Sequence, residues 1–129
     1  MEMDRKKGIR GQSLVEFALS ISLLMLILLG VLDLGRVFNT YIVITNAARE
    51  GAYYGSMHPL DSSGIQERVV SEAQNSGIIL TADNVNISTS GLSGTPMCVT
   101  VHHDFSLLTT WLVGRQTLHL ESCAEMVVF

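Results

Sequence analysis

A single long apolar run constrains this chain more than any other feature. Leu14 to Leu32 reads LVEFALSISLLMLILLGVL, and Glu16 is its only charged residue. The run is close to the roughly 20 apolar residues that a helix needs to cross the hydrocarbon of a bilayer. A secretory signal peptide has a shorter apolar core and ends in a small-residue cleavage site, and no such site follows this run. The sequence therefore predicts a transmembrane helix over residues 12–33.

The basic residues predict how this helix is oriented. Arg5, Lys6, Lys7 and Arg10 precede the run, whereas the chain beyond Gly11 has four arginines and no lysine. Basic residues beside a span stay on the cytoplasmic side. We therefore expect a single-pass protein of the cytoplasmic membrane, with residues 1–11 inside and the C-terminus outside. The part beyond Gly11 has ten acidic residues against its four arginines, which argues against a nucleic-acid partner.

The segment after the run continues as an amphipathic stem helix over residues 34–55. Residues 33–54 contain no proline, and apolar or small residues recur there in steps of three and four. This predicted inner face comprises Leu34, Val37, Phe38, Tyr41, Thr45, Ala48 and Ala52. The predicted outer face comprises Arg36, Asn39, Asn46, Arg49 and Glu50. His58-Pro59 should end the helix, and Gly51 and Gly55, near that end, are assigned a capping or turn role.

Residues 56–129 predict a small domain with one short helix and an antiparallel sheet. Ile65–Asn75 has helical spacing, with Ser63 as its cap and Gly77 at its end. Three segments alternate between apolar and polar residues as strands do: 85–89, 97–105 and 117–129. The expected fold class is therefore α+β, with the long N-terminal helix packed on the sheet.

The two cysteines, Cys98 and Cys123, both lie in the part expected outside the cell membrane. An even pair in an oxidising compartment is typical of a disulfide. An antiparallel register with Cys98 opposite Cys123 also places His102 opposite His119. Alternation then assigns a common core face, formed by Val99, Val101, Phe105, Leu118, Leu120 and Ala124.

No constellation of residues in the sequence predicts catalysis or a bound cofactor. A facing pair of histidines, His102 and His119, would offer only two metal ligands, and two ligands without a third make a poor metal site. The chain has no nucleophile elbow, phosphate loop or metal triad. We therefore expect neither an enzyme nor a resident metal.

The most informative motif stands at the start of the apolar run. Arg10-Gly11-Gln12-Ser13-Leu14-Val15-Glu16-Phe17 has a basic leader, a glycine, a glutamate five residues later and then an aromatic residue. It resembles the processing site of type IV prepilins, and most closely that of the Flp/Tad branch. The segment 32–54, with its Asn46–Ala52 stretch NAAREGA, is similar to the stem of TadE-like pseudopilins, and the ending of the chain is similar as well.

The resemblance implies a pilin-like fold and a role in pilus assembly. By family analogy, a prepilin peptidase cuts between Gly11 and Gln12, and Glu16 becomes the fifth residue of the mature chain and an assembly residue, followed by Phe17. The partners would be that peptidase, other pilin subunits and the pilus assembly platform. Major Flp pilins are much shorter, which favours a minor pilin of a tight-adherence system.

Glu16 also has a simpler interpretation. Ser13-Leu14-Val15-Glu16 fits a capping box, in which a serine and a glutamate three residues later bind free N–H groups at a helix start. The chain would then be an unprocessed, membrane-anchored binding module outside the cytoplasm. Cleavage after Gly11 distinguishes the two hypotheses.

Overall fold

One continuous helix forms the backbone of the molecule. The computed structural model describes residues 5–110, 114 and 117–129, with side chains from Gly11 onward. Helix α1 (Arg5–Met57) has 53 residues, so it is about 80 Å long at 1.5 Å per residue. It ends just before His58-Pro59, as predicted. Residues 1–4 of the predicted leader lie outside the described residues.

The second helix, α2 (Ser62–Asn75), packs against the C-terminal half of α1. Its N-cap is Asp61, whose carboxylate accepts hydrogen bonds from the Gly64 N–H and the Ser63 hydroxyl. The prediction of Ser63 as the cap is therefore wrong, because Ser63 lies inside the helix and donates to the residue that caps it. Gly77 follows the helix with φ +82°, a conformation that suits glycine after a helix end.

Three antiparallel strands complete an α+β fold, which confirms the predicted class. A short 3-10 helix (Ala82–Asn84) leads into β1 (Val85–Ser88), which pairs with β2 (Pro96–Ser106), and β2 pairs with β3 (Thr117–Val127). The core lies between α1, α2 and one face of the sheet. Its largest fully buried apolar side chains are Ile44, Ile65, Val69, Met97, Val99 and Val101.

The register of the β2–β3 pair differs from the prediction by two residues. Cys123 lies opposite Thr100, and Cys98 lies opposite Glu125. The two cysteines are still disulfide-bonded, as predicted, because they are diagonal neighbours on one face with Cα atoms 6.2 Å apart. A shift of two residues keeps every side chain on its own face of the sheet.

The shifted register also corrects the expected histidine pair. His102 lies opposite Glu121, and His119 lies opposite Asp104, so His102 and His119 do not face each other directly. The assignment of faces was more accurate, since Val99, Val101 and Phe105 are buried. Each histidine therefore has a carboxylate as its direct neighbour.

The face of α1 that docks on the domain is displaced from the predicted one by about one residue around the helix. Its buried positions include Asp33, Thr40, Ile44, Ala47 and Gly51. Val37, Ala48 and Ala52 of the predicted face are at least half-buried as expected. By contrast, the other large members of that face are exposed: Leu34, Phe38 and Tyr41.

The glycines of this helix are packing residues, which corrects the capping or turn role predicted for them. A Cβ at Gly51 would collide with the side chain of Val69 on α2. A Cβ at Gly55 would collide with Met97 on β2 and crowd Ile65 on α2. Both glycines lie inside α1 and let its backbone approach the domain closely.

Candidate assembly helix

The apolar run stands free of the rest of the described chain. All residues from Gly11 to Leu28 are exposed, and the most apolar 18-residue window of the helix has a mean hydropathy of 2.5 with none of it buried. In the described part of the protein, this one helix is long and apolar enough to cross a membrane. Exposed apolar surface on this scale is unfavourable in water and marks a contact with lipid or protein.

The predicted processing motif lies at the start of this exposed helix. Gly11 and Gln12 are exposed, and a Cβ at Gly11 would meet no atom within 4 Å. Glu16 and Phe17 are exposed one turn later, and Phe17 is 65% exposed. The basic side chains before Gly11 lie outside the described residues. The structure therefore leaves the peptide bond between Gly11 and Gln12 uncovered by the rest of the described chain.

The capping-box interpretation of Glu16 does not fit this helix. A capping box at Ser13 requires the helix to begin there, but α1 already runs from Arg5. Glu16 is instead a carboxylate on the side of a continuous apolar helix. A charged group in such a setting is costly in hydrocarbon unless it is paired, and it is a functional candidate for that reason.

A second carboxylate marks the other end of the apolar run. Asp33 follows directly after Leu32, and its side chain is only 5% exposed. It accepts hydrogen bonds from the Leu108 N–H (2.9 Å), the Thr109 N–H (3.0 Å) and the Thr109 hydroxyl (2.9 Å). Arg36 lies 3.3 Å from the same carboxylate. Asp33 thereby ties the connection between β2 and β3 to the helix.

Sequence analysis gave Asp33 no role, although a signal for it was present. Asp33 begins a series of buried positions in steps of three and four that continues through Val37, Thr40, Ile44 and Ala47. An acid on a docking face needs hydrogen-bond donors from the packed element. A polar turn with free backbone N–H groups, such as the β2–β3 connection, is a natural source of those donors.

The stem half of α1 has an uncovered apolar surface beside its docked face. We call it the outer stripe; it consists of Leu34, Phe38, Tyr41 and Ile42, each between 46% and 59% exposed. It continues the exposed surface of the apolar run along the same helix. The domain covers one side of the stem and leaves this side open.

Family comparison assigns this helix. Residues 11–52 match the family of TadE-like proteins. The match begins at the predicted processing site, includes Glu16, Phe17 and Asp33, and ends at Ala52 within the stem. Neither a curated protein nor a solved structure matches the chain. The predicted resemblance is therefore confirmed, and it indicates a protein associated with the Tad pilus.

The TadE-like segment is the part of α1 that is most exposed, whereas the sheet lies beyond the match. On the outer face of the sheet, His102 Nδ1 lies 3.8 Å from Glu121 Oε2, and His119 Nδ1 contacts Asp104 Oδ1. No group of three His, Cys, Asp or Glu side chains that could hold a metal occurs among the residues described here. The family assignment therefore rests on the helix.

Proposed function

We propose that this chain is a minor pilin (pseudopilin) of a tight-adherence, Flp-type pilus assembly system. A prepilin peptidase of the cytoplasmic membrane cuts it between Gly11 and Gln12, and the mature chain joins other pilin subunits through its N-terminal helix. Residues 12–33 span the membrane, with the N-terminus inside and the domain of residues 56–129 outside. The role is structural rather than enzymatic.

The observation that supports this proposal most strongly is the exposed carboxylate of Glu16 on an uncovered apolar helix. A charged side chain in the middle of a membrane helix costs about 3 kcal/mol on insertion scales. After cleavage, the new α-amino group of Gln12 lies one turn away and has the opposite charge. Pairing of this group with Glu16 of a neighbouring subunit offsets the cost and sets the axial stagger between packed helices.

Cleavage also removes the four basic residues that precede Gly11. Cytoplasmic lysines and arginines hold the end of a transmembrane helix on its own side of the membrane. Their loss lowers the free-energy cost of drawing the helix out of the bilayer. The processed chain is therefore easier to move into an assembly than the uncleaved one.

The outer stripe extends the assembly surface beyond the span. Phe38 and Ile42 are both more than half exposed, and they lie on a side of the stem that the domain leaves open. Large apolar side chains at helical spacing suit the packing of one helix against another. We propose that neighbouring pilin helices cover this stripe in the assembled state.

A charge-neutral substitution at Glu16 tests the proposal. Glu16→Gln keeps the size and helix propensity of the side chain and removes its charge. We expect the variant to be cleaved and inserted into the membrane but not recovered in pilus complexes. Glu50→Gln is the matched control, because it makes the same change on the same helix at a half-buried stem position, and it should assemble normally.

Two results would contradict parts of this proposal. Normal piliation by the Glu16→Gln variant would exclude the charge-pairing role. A chain that stays uncleaved in cells whose other prepilins are processed would favour the anchored binding module instead. Co-purification with pilus subunits, compared between the two variants, gives the measurement.

A further inference from the structure

We propose that the connection between β2 and β3 lies in the lipid headgroup layer on the outer surface of the membrane while the protein is anchored. The segment concerned is residues 107–110, and its partner is the bilayer itself. This inference rests on the membrane span assigned in the proposed function. It adds a second contact between the protein and the membrane, made by the domain rather than by the helix.

The position of Asp33 fixes the height of this connection. Asp33 is the residue after Leu32, so it lies about 1.5 Å beyond the end of the apolar run along the helix axis. The backbone N–H groups of Leu108 and Thr109 are within 3.0 Å of its carboxylate. The polar layer on each side of the hydrocarbon is roughly 5–7 Å thick. The connection therefore lies at the depth of the headgroups.

Tilting of the helix does not move the connection out of this layer. Transmembrane helices tilt by about 20° on average, and an element packed beside a helix lies about 10 Å from its axis. The resulting vertical displacement is about 3–4 Å. This shift is smaller than the thickness of the headgroup layer, so the inference holds for either direction of an average tilt.

The chemistry of the connection suits a membrane surface. Leu108 is 52% exposed, and Leu34 at the same level of the helix is 56% exposed. The carboxylate of Asp33 is already satisfied by three hydrogen bonds, so it brings no unpaired charge to this depth. Arg36, one turn further along, has a side chain that is 46% exposed and well placed to meet lipid phosphates.

The opposite end of the domain lies far from the membrane. The Phe129 N–H donates to the Ser56 carbonyl, and the Gly94 N–H donates to the Val128 carbonyl. Ser56 is about 35 Å from Asp33 along the helix, so the turn that contains Leu92 lies well out in water. Assembly of the subunit into a pilus would lift the connection out of the headgroups, which makes this contact a restraint that holds the subunit in its membrane-stored form.

Single-cysteine probes test this inference in the full chain reconstituted into vesicles of phosphatidylcholine with phosphatidylglycerol. The native cysteines are disulfide-bonded, so an added thiol is the one that is labelled. Leu108→Cys is the test site, and Leu92→Cys, which is 65% exposed in the parent, is the control at the far end. Leu23→Cys reports on the span itself. Each carries an environment-sensitive fluorophore and is titrated with iodide from the aqueous phase.

We expect several-fold less iodide quenching at position 108 than at position 92, with a blue-shifted emission, and the strongest protection at position 23. If position 23 is protected while position 108 is quenched like position 92, the membrane contact is overturned and the anchor stands. If position 23 is quenched as well, the span fails and the further inference fails with it. Leu108 contributes only its backbone N–H to Asp33, so its substitution leaves the docking of the connection intact.

Discussion

Removing the Asp33 carboxylate should release the β2–β3 connection from α1. The side chain accepts three hydrogen bonds, two of them from backbone N–H groups of Leu108 and Thr109. A hydrogen bond to a charged group contributes roughly 1.5–3 kcal/mol. Water partly replaces the lost acceptor once the connection separates from the helix, so we expect Asp33→Ala to lower the local opening free energy by about 3 kcal/mol.

Amide hydrogen exchange in detergent micelles measures this opening directly. A loss of about 3 kcal/mol corresponds to roughly a hundred-fold faster exchange at Leu108 and Thr109. Asp104→Ala is the control, because it removes a carboxylate whose side chain is 68% exposed, and it should leave both amides unchanged. Asp33→Asn should give an intermediate effect, since its amide oxygen still accepts one of the N–H groups.

Unchanged exchange at Leu108 and Thr109 in the Asp33→Ala variant would refute this reasoning. It would mean that the connection is held by other contacts and that Asp33 does not set its height. The argument for a membrane contact would then lose its geometric basis.

Two further predictions concern the domain and its packing on the stem. Gly51→Ala should destabilise it by about 1 kcal/mol in urea unfolding, because overpacking against Val69 costs more than the added helix propensity returns. Gly35→Ala, whose Cβ would meet no atom within 4 Å, should instead be stabilising, and the same sign for both would contradict the close approach. The Gly64 N–H, the Ser63 hydroxyl and a tyrosine hydroxyl hold the pKa of Asp61 below its ordinary value. Stability should therefore be full above about pH 4 and fall as the pH drops through the lowered pKa; Asp61→Asn should flatten this part of the profile, and an unaltered profile would exclude the cap.

Local patterns were enough to predict the elements of this fold. The proline after His58 ends α1, and the alternation of Val99, Val101 and Phe105 identifies the core face of β2. The register was wrong because alternation has a period of two, so a shift of two residues leaves the pattern of faces unchanged. A disulfide does not remove the ambiguity, since diagonal as well as opposed cysteines are close enough to bond.

The docked face of the stem was misassigned for a related reason. Leu34, Phe38 and Tyr41 are large and apolar, and a rule based on hydrophobicity places them against the domain. The domain instead packs on smaller residues such as Ala47 and Gly51, which allow close approach. A helix with two apolar surfaces, one for its own domain and one for other subunits, shows both in its sequence without distinguishing them.

The candidate site was predicted in part. Gly11, Gln12, Glu16 and Phe17 could be singled out because their order along the chain forms a motif. Asp33 could not, because its role depends on donors that are 75 residues away in the sequence and meet it only after folding.

The central claim is that this TadE-like chain is processed as a prepilin and then assembles through its exposed helix. The intact mass of the protein extracted from its native membrane, with N-terminal sequencing, tests it most directly. The account predicts a chain that begins at Gln12, with or without an added methyl group. A chain that still begins at Met1, in cells whose other prepilins are cut, would contradict it.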